Sequence, residues 1–442
     1  MKNKLILFFC LLISIHGFSQ ENTFSFSLQD AVNYALEHNR TISNADLNIL
    51  AAKQTVWETT ANGLPQINGA IDYQNNIKTP FNTDDLAPND PFRFLFPKHS
   101  LIPSLSLSQL IFDGGYIVGL QSNKVFLTIS ELAKDKTNND IETAVVSAYN
   151  NALLTKESIE IMKNNIAVLE ENLNETTKIF ENGLTEEEDV EQLQLTLSNL
   201  EINLKNLESL YDISKGYLKL LLGIDLQNTI NLTDTLEALV NENISLELLN
   251  SDHSVFNNID YKIAENDVVS KNLQYKLEKS KLLPTITGFV NANYLGYSDR
   301  FSNYFKKEQE WLFTTVGGVS LNIPVFTSFK GKAQRQKAKI EWNIAENNLK
   351  ETEQKLALDF KTSKSEYTLA IDTYGNKKKN LTLAEKIETK NNIKYKEGIA
   401  SSFDLRQAQT QLYTSQQEYL QAIIDVINKK AELKNLLNIQ KQ

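Results

Sequence analysis

The densest chemistry in the chain is the stretch FENGLTEEEDVEQLQ, residues 180–194. Glu186, Glu187, Glu188, Asp189 and Glu191 crowd into six positions shortly after Gly183. Carboxylates at this spacing can neutralise the start of a helix, with Thr185 and Glu188 spaced as a capping box. Five exceed what capping uses, and like charges this close repel. If copies of the bend surrounded a pore, each acid would repeat as a ring, and acidic rings favour cations. Capping and a selectivity or docking role therefore stand side by side as readings. A catalytic carboxylate pair has no supporting motif. His38, His99 and His253 are scattered, His16 lies at the extreme N-terminal end, and no HExxH, GxSxG or phosphate-cradling loop occurs. No enzyme activity, cofactor or metal site is expected.

The bend must be held by the elements around it. The chain has 442 residues, a formal net charge of −10 and a pI near 5.2. A nucleic-acid partner is not expected, because phosphate contact needs a basic face. The opening MKNKLILFFCLLISIHGFSQ has a basic start, a short apolar stretch and small residues Gly17 and Ser19. It reads as a signal peptide over 1–19, with Gln20 as the mature N-terminus. Cys10 is the only cysteine and follows Phe9, which does not fit a lipid-attachment site. The mature chain is thus expected to lack thiol chemistry. No later run is long and apolar enough for a transmembrane helix.

The sequence is written twice. FENGLTEEEDVEQLQLTL has a partner in YKEGIASSFDLRQAQTQL, which places Gly183 opposite Gly398 and Asp189 opposite Asp404. Leu64-Pro65 and Leu283-Pro284 likewise correspond, as do KLLLGI (219–224) and KNLLNI (434–439). The expected copies are 20–225 and 256–442, with an inter-repeat segment, 226–255, expected to belt the middle of the helical part. Each begins with a helix stopped by Leu-Pro. Strands are expected at about 66–76 and 102–113 in the first copy and 285–297 and 312–326 in the second. They alternate cleanly: Leu105 and Leu107 against Ser104, Ser106 and Ser108; Val319, Leu321, Ile323 and Val325 against Ser320 and Asn322. Period-two alternation fits a membrane barrel and also a soluble sheet with one wet face, and the aromatic connecting loops favour the barrel. Phe92, Phe94, Phe96, Trp311 and Phe313 lie near these strands, as membrane-interface aromatics or as packed loop residues. Four strands cannot close a membrane barrel, so copies would have to pool theirs, and three chains would supply twelve.

Long helices are expected at 116–182 and 330–396, returning through 188–222 and 402–438. Residues 120–182 contain no Gly or Pro and would span roughly 95 Å. Ile159, Met162, Ile166, Leu169, Leu173, Thr176 and Phe180 step alternately by three and four, the seam of a coiled coil. Each return helix supplies only about 50 Å, so a short helix from 28–62 or 256–282 is expected to stack on its end.

This arrangement resembles the TolC-type outer-membrane efflux channels over about 25–440. The resemblance rests on Leu64-Pro65 and Leu283-Pro284, on SLSQLIFDGG and SLNIPVF, and on the FENGL and YKEGI bends, each with Asp six residues after its Gly. EHNRTISNADLNI and FNNIDYKIAENDV resemble the family's helix openings. The resemblance implies an α+β membrane protein. Three protomers would form a twelve-stranded β-barrel, four strands per chain, continued by an α-helical coiled-coil barrel through the periplasm. It implies a passive exit duct in the outer membrane of a Gram-negative bacterium, a homotrimer in contact with outer-membrane lipid. Its partners would be a periplasmic adaptor and an inner-membrane transporter of RND, ABC or MFS type. The family closes its periplasmic end at the Gly bends. A Tyr before the second Gly and an Arg after it hold that state, and acids six and nine residues on form constriction rings. Tyr395 matches the Tyr and Asp404 the first acid, while Ala400 and Gln407 replace the Arg and the second acid. Tyr395 also fits as the last seam residue, and Asp404 as a cap with Ser401. The rival to the duct is a soluble periplasmic coiled-coil structural or adaptor protein.

Overall fold

A computed structural model describes residues 23–78, 95–245, 248–250 and 254–438. The expected signal peptide, 1–19, and Phe92, Phe94 and His253 lie outside the described residues. In chain order the elements are β1 (Thr23–Phe26), α1 (Leu28–His38), α2 (Arg40–Ala61), β2 (Gln66–Asn75), β3 (His99–Phe112), α3 (Gly114–Glu181) and α4 (Glu187–Leu222). Then come β4 (Thr229–Leu232), α5 (Leu236–Asn243), α6 (Ile259–Ser280), β5 (Thr285–Ser298), β6 (Trp311–Asn322), α7 (Lys330–Lys396) and α8 (Ser402–Leu437). Pro65 and Pro284 each stand directly before a strand. β6 stops at Asn322, short of the expected 326, because Pro324 has no N–H for a ladder. The described chain divides into two compact units, one of residues up to 46, 134–261 and 353 onward, the other of 47–133 and 262–352.

The first unit is helical. Its core gathers Tyr149 and Leu153 of α3, Leu218 and Leu222 of α4, Tyr367 of α7, and Ile423 and Ile427 of α8. Ala148 and Ala152, both buried, let neighbouring helices approach closely. β1 and β4 pair in parallel, and Phe26, Ile230 and Leu232 turn into this core. Two buried tyrosines tie the inter-repeat segment to the long helices. The Tyr149 hydroxyl lies 3.0 Å from both the Phe26 carbonyl and the Asp234 carboxylate. The Tyr367 hydroxyl donates to the Asn243 carbonyl at 2.6 Å and accepts from the Ser245 N–H at 3.0 Å.

The repeat is visible in hydrogen bonds. The span 28–62 is broken at Asn39, which leaves the helical region with ψ 130° and separates α1 from α2. Buried Asn39 donates to the Leu221 carbonyl at 2.6 Å and accepts from the N–H of Thr41 at 2.7 Å, so it joins the end of α4 to the start of α2. Asn258 does the same in the second copy, donating to Leu436 at 2.9 Å and accepting from Asp260 at 2.8 Å. α4 and α8 both end on a left-handed residue, Gly223 (φ 75°) and Asn438 (φ 49°). A Cβ on Gly223 would lie 2.4 Å from the His38 carbonyl oxygen, whereas Asn438 donates its side-chain N–H to the Asn257 carbonyl at 2.9 Å.

The second unit carries the sheet, ordered β2-β3-β5-β6 and antiparallel throughout. Asn39→Ala should cost about 1–3 kcal/mol, because it strands a buried carbonyl and two helix-start N–H groups. Gly223→Ala should be at least as damaging. Both are read as lowered denaturation midpoints of the detergent-solubilised protein, with Arg40→Ala, an exposed change, as the neutral control.

Candidate functional site: the hairpin tips and the sheet face

Each long helix ends in the same turn. At the first tip the Gly183 N–H donates to Phe180 and the Leu184 N–H to Ile179; at the second, Gly398 donates to Tyr395 and Ile399 to Lys394. Gly183 and Gly398 have φ of 70° and 71°, the left-handed value this closure requires and glycine adopts without strain. Leu184 and Ile399, 78% and 76% exposed, project from the two turns.

The two tips start their return helices differently. At the second, Ser401 and Asp404 form a reciprocal capping box, with the Asp404 N–H donating to Ser401 Oγ at 3.2 Å and the Ser401 N–H to the carboxylate at 3.1 Å. The Ser401 hydroxyl and N–H hold the Asp404 carboxyl below its ordinary range. At the first tip the Thr185–Glu188 box does not form. The cap position is Glu186, whose side chain makes no capping bond, and Glu188 instead accepts from Gln192 at 2.8 Å. Thr185 donates to Asp189, whose other oxygen accepts from the hydroxyl of Ser402, across from the second tip. Asp189 is the one acid of the cluster drawn inward, while Glu186, Glu187 and Glu188 remain exposed. Partial burial pushes the Asp189 carboxyl up, but bonds from Ser402, Thr185 and the Glu186 N–H, with the Arg406 charge, bring it below the usual value.

A second link lies one turn back. The Tyr395 hydroxyl is 2.8 Å from Thr176 Oγ1, and the Thr176 proton goes to the Asn172 carbonyl, so Tyr395 is the donor. Burial pushes the Tyr395 hydroxyl up in pKa. Lys396 bridges Glu171 at 3.4 Å and Glu175 at 3.2 Å. Leu169, Leu193 and Leu200 form a buried seam that Tyr413 of the other hairpin joins. Asp189 and Tyr395 thus both tie the two hairpins together, whereas Asp404 serves its own helix. The sequence did not mark Ser402, and it showed Thr176 only as a seam residue; the contacts they make cross 213 and 219 positions, beyond any local pattern.

The sheet sorts its side chains by face. Ile67, Leu107 and Val290 lie in one row of paired residues, Leu105 and Ala292 in the next, and Tyr294 faces Phe313 farther along. The opposite face carries Asn68, Ser106 and Asn291, then Ser104, Asn293 and Thr314. The apolar side is open: Ile67, Ile71, Phe313 and Val319 are all more than half exposed. Trp311 lies over Gly296 and the Tyr294 and Phe313 rings are 4.9 Å apart, so the aromatics gather toward one end of the apolar face, while Phe96 is half-buried. The described histidines serve packing. His38 stacks on Tyr34 at 4.0 Å, and His99 meets the Tyr73 hydroxyl at 2.9 Å. No cluster of metal-ligating side chains occurs among the described residues.

The sequence profile described as "Outer membrane efflux protein" matches residues 31–224 and 255–438. No curated protein matches the chain significantly in sequence. Among solved structures, the fold is similar to the outer membrane protein VceC of Vibrio cholerae, with a TM-score of 0.71 at 15% identity over 93% of this chain and 95% of that one. The Campylobacter jejuni CmeC outer membrane channel gives 0.72 at 16% identity, over 93% and 85%. The open state of the Neisseria gonorrhoeae MtrE outer membrane channel gives 0.67 at 16%, over 93% and 88%.

Because the Asp189 carboxyl is held below its ordinary value, the cross-tip link contributes fully above the ordinary carboxylate range and is lost as pH falls through the lowered value. Spin labels at Leu184 and Ile399 should therefore report longer distances at pH 7 in Asp189→Asn and Ser402→Ala, and in the unaltered chain only once the pH falls below the ordinary carboxylate range. Equal distances in all three would show that other contacts hold the tips.

Proposed function

Since the chain belongs to the outer membrane efflux protein family, we propose that it is the exit duct of a tripartite efflux or secretion system, a passive water-filled channel gated at its hairpin tips. Its place is the outer membrane of a Gram-negative bacterium, reaching into the periplasm. The observation that carries the duct reading is the open four-stranded sheet, apolar on one exposed face and polar on the other, with β2 and β6 as edges that no other strand among the described residues pairs. In hydrocarbon every backbone polar group needs a partner, so these edges require other chains. Three copies supply twelve strands, with the serine and asparagine face turned to water. A soluble periplasmic coiled-coil role would leave this apolar face in solvent, and is the weaker reading.

The tips are the gate. Asp189–Ser402 and Tyr395–Thr176 hold the two hairpins of one protomer together, in a chain where Ala400 and Gln407 replace the family's Arg and second acid. Exposed Leu184 and Ile399 offer apolar contacts for a periplasmic adaptor, which connects the duct to an inner-membrane pump. Glu186, Glu187 and Glu188 ring the mouth and draw cations toward it.

Particle images of detergent-extracted protein should show a threefold tube on the order of 100 Å or longer. A water-soluble monomer or dimer would sink the proposal. In planar bilayers the protein should conduct with a cation preference that Glu186, Glu187 and Glu188 to Gln together weaken. Unchanged selectivity and unchanged adaptor binding would return those side chains to a purely local role at the helix start.

A further inference from the structure

The two sheet-to-helix junctions differ in a way the repeat does not require. In the first copy β3 ends at Phe112 and α3 begins at Gly114, so Asp113 alone connects them. In the second copy β6 ends at Asn322 and α7 begins at Lys330, which leaves the connector IPVFTSF, residues 323–329. Its apolar side chains point into the open: Ile323 is 55% exposed, Val325 91%, Phe326 76% and Phe329 73%. The Phe326 and Phe329 rings meet edge to face at 6.0 Å. Ser328 and Phe329 both adopt positive φ, 48° and 63°, which bulky L-residues take only when something holds them there.

The connector opens onto a run of cations. KGKAQRQKAKI carries Lys330, Lys332, Arg335, Lys337 and Lys339, whereas α3 opens with GGYIVGLQSNK and a single Lys124. The end of α6, packed in the same unit, adds Lys276, Lys279 and Lys281. α7 has no acid in its first turn, so Lys330 and Lys332 sit against the positive end of the helix dipole, where cations are disfavoured. Lys279 and Lys339 both approach the Tyr275 ring, each at 5.6 Å, and Lys339 lies 4.0 Å over Trp342. Lys281 and Lys337 are paired with Glu278 and Glu341. Lys279, Lys330, Lys332 and Lys339 have no carboxylate partner among the described residues. A chain with net charge −10 has thus concentrated unneutralised positive charge beside an exposed apolar connector.

Depth decides what meets it. The 12 residues of β6, at about 3.3 Å each and tilted about 40°, rise roughly 30 Å, the thickness of a bilayer's hydrocarbon core. The connector then lies at the edge of the hydrocarbon on the helical, periplasmic side. Lys330, Lys332 and Arg335 follow within about 8 Å along the helix, at headgroup level. Lys339 lies about 14 Å along, close enough to reach back toward the headgroups with its long side chain.

We propose that this junction is a lipid-binding collar: Val325, Phe326 and Phe329 enter the inner leaflet, and Lys279, Lys330, Lys332 and Lys339 bind the phosphates of anionic glycerophospholipids. The inference rests on the outer-membrane channel reading. It adds that the second repeat, and not the first, grips the leaflet, through charge as well as apolar contact. Each basic side chain near a surface adds attraction to anionic lipid, screened over a Debye length.

The test uses the full protein in detergent and in vesicles of phosphatidylcholine with or without phosphatidylglycerol. Native mass spectrometry should find phosphatidylglycerol retained over phosphatidylcholine by about tenfold or more, falling with added salt. Replacing Lys279, Lys330, Lys332 and Lys339 together by Gln should bring the ratio to about one, while Lys53→Gln with Lys124→Gln in the first repeat leaves it unchanged. Phe326→Ser with Phe329→Ser should lower retention of both lipids. The four-lysine variant should keep the oligomeric state and conductance of the unaltered protein. Undiminished phosphatidylglycerol preference in that variant would overturn the collar. So would a change in pore ion selectivity without a change in lipid retention, since the lysines would then face the lumen. Loss of the preference on adding millimolar inorganic phosphate, with ionic strength matched, would identify a small-anion site and overturn it as well. Failure of the unaltered protein to enter vesicles or to conduct would instead overturn the channel reading beneath it.

Discussion

The backbone groups at the outer edges of β2 and β6 have no strand partner among the described residues, and the rest of the structure follows from that. A sheet of four strands twists but does not close. In water its edges could be solvated; its exposed isoleucines and valines could not be without cost. In hydrocarbon the apolar face is satisfied and the edges are not. No environment suits both features of a single chain, so a channel built from this sheet has to be built by several. The same economy explains the repeat. One copy contributes two strands and one hairpin, and doubling it within a chain halves the number of subunits needed to surround a pore.

The helical part answers a different constraint. Helices of 68 and 67 residues cannot be buried by one globular core. They survive by packing along neighbours, and the shorter helices must be spliced end to end to keep pace with them. Asn39 and Asn258 make those splices. Each satisfies a carbonyl at one helix end and an N–H at the start of another, so that two sets of orphan helix-end groups are settled by one buried side chain. Tyr149 and Tyr367 then fasten the inter-repeat segment to the two long helices. These polar pins fix register where a seam of leucines alone would permit sliding.

Where the two copies depart from each other, function is the natural reason. Gly183 and Gly398 close identical turns, so the turn is architecture. The side chains after it diverge: Asp404 caps its own helix, while Asp189 reaches for the other hairpin. An acid that satisfies its own helix is fixed by a local exchange. One that bonds across two hairpins is sensitive to how they sit, which suits a gate. The sheet-to-helix junctions diverge in the same spirit, one short and acidic, the other long, aromatic and basic.

The sequence by itself determined the doubled order, the glycine turns, the strand alternation and the seam, because each is written in local spacing: two for strands, three and four for helices, a left-handed residue at a bend. It also marked Ser401 with Asp404 as a cap, since the partners are three residues apart. It misassigned Thr185, whose spacing to Glu188 fits a capping box equally well. Only the tertiary structure decided that Asp189 is the better acceptor for that hydroxyl, because the second hairpin brings Ser402 to the carboxylate's other side and fixes its orientation. Tyr395 was visible as a residue of interest, but its bond to Thr176 was not. The seam register placed Thr176 and Tyr395 each on its own helix, but neither pairing can be read from local periodicity, since the partners are more than two hundred positions apart and meet only when two coiled hairpins align.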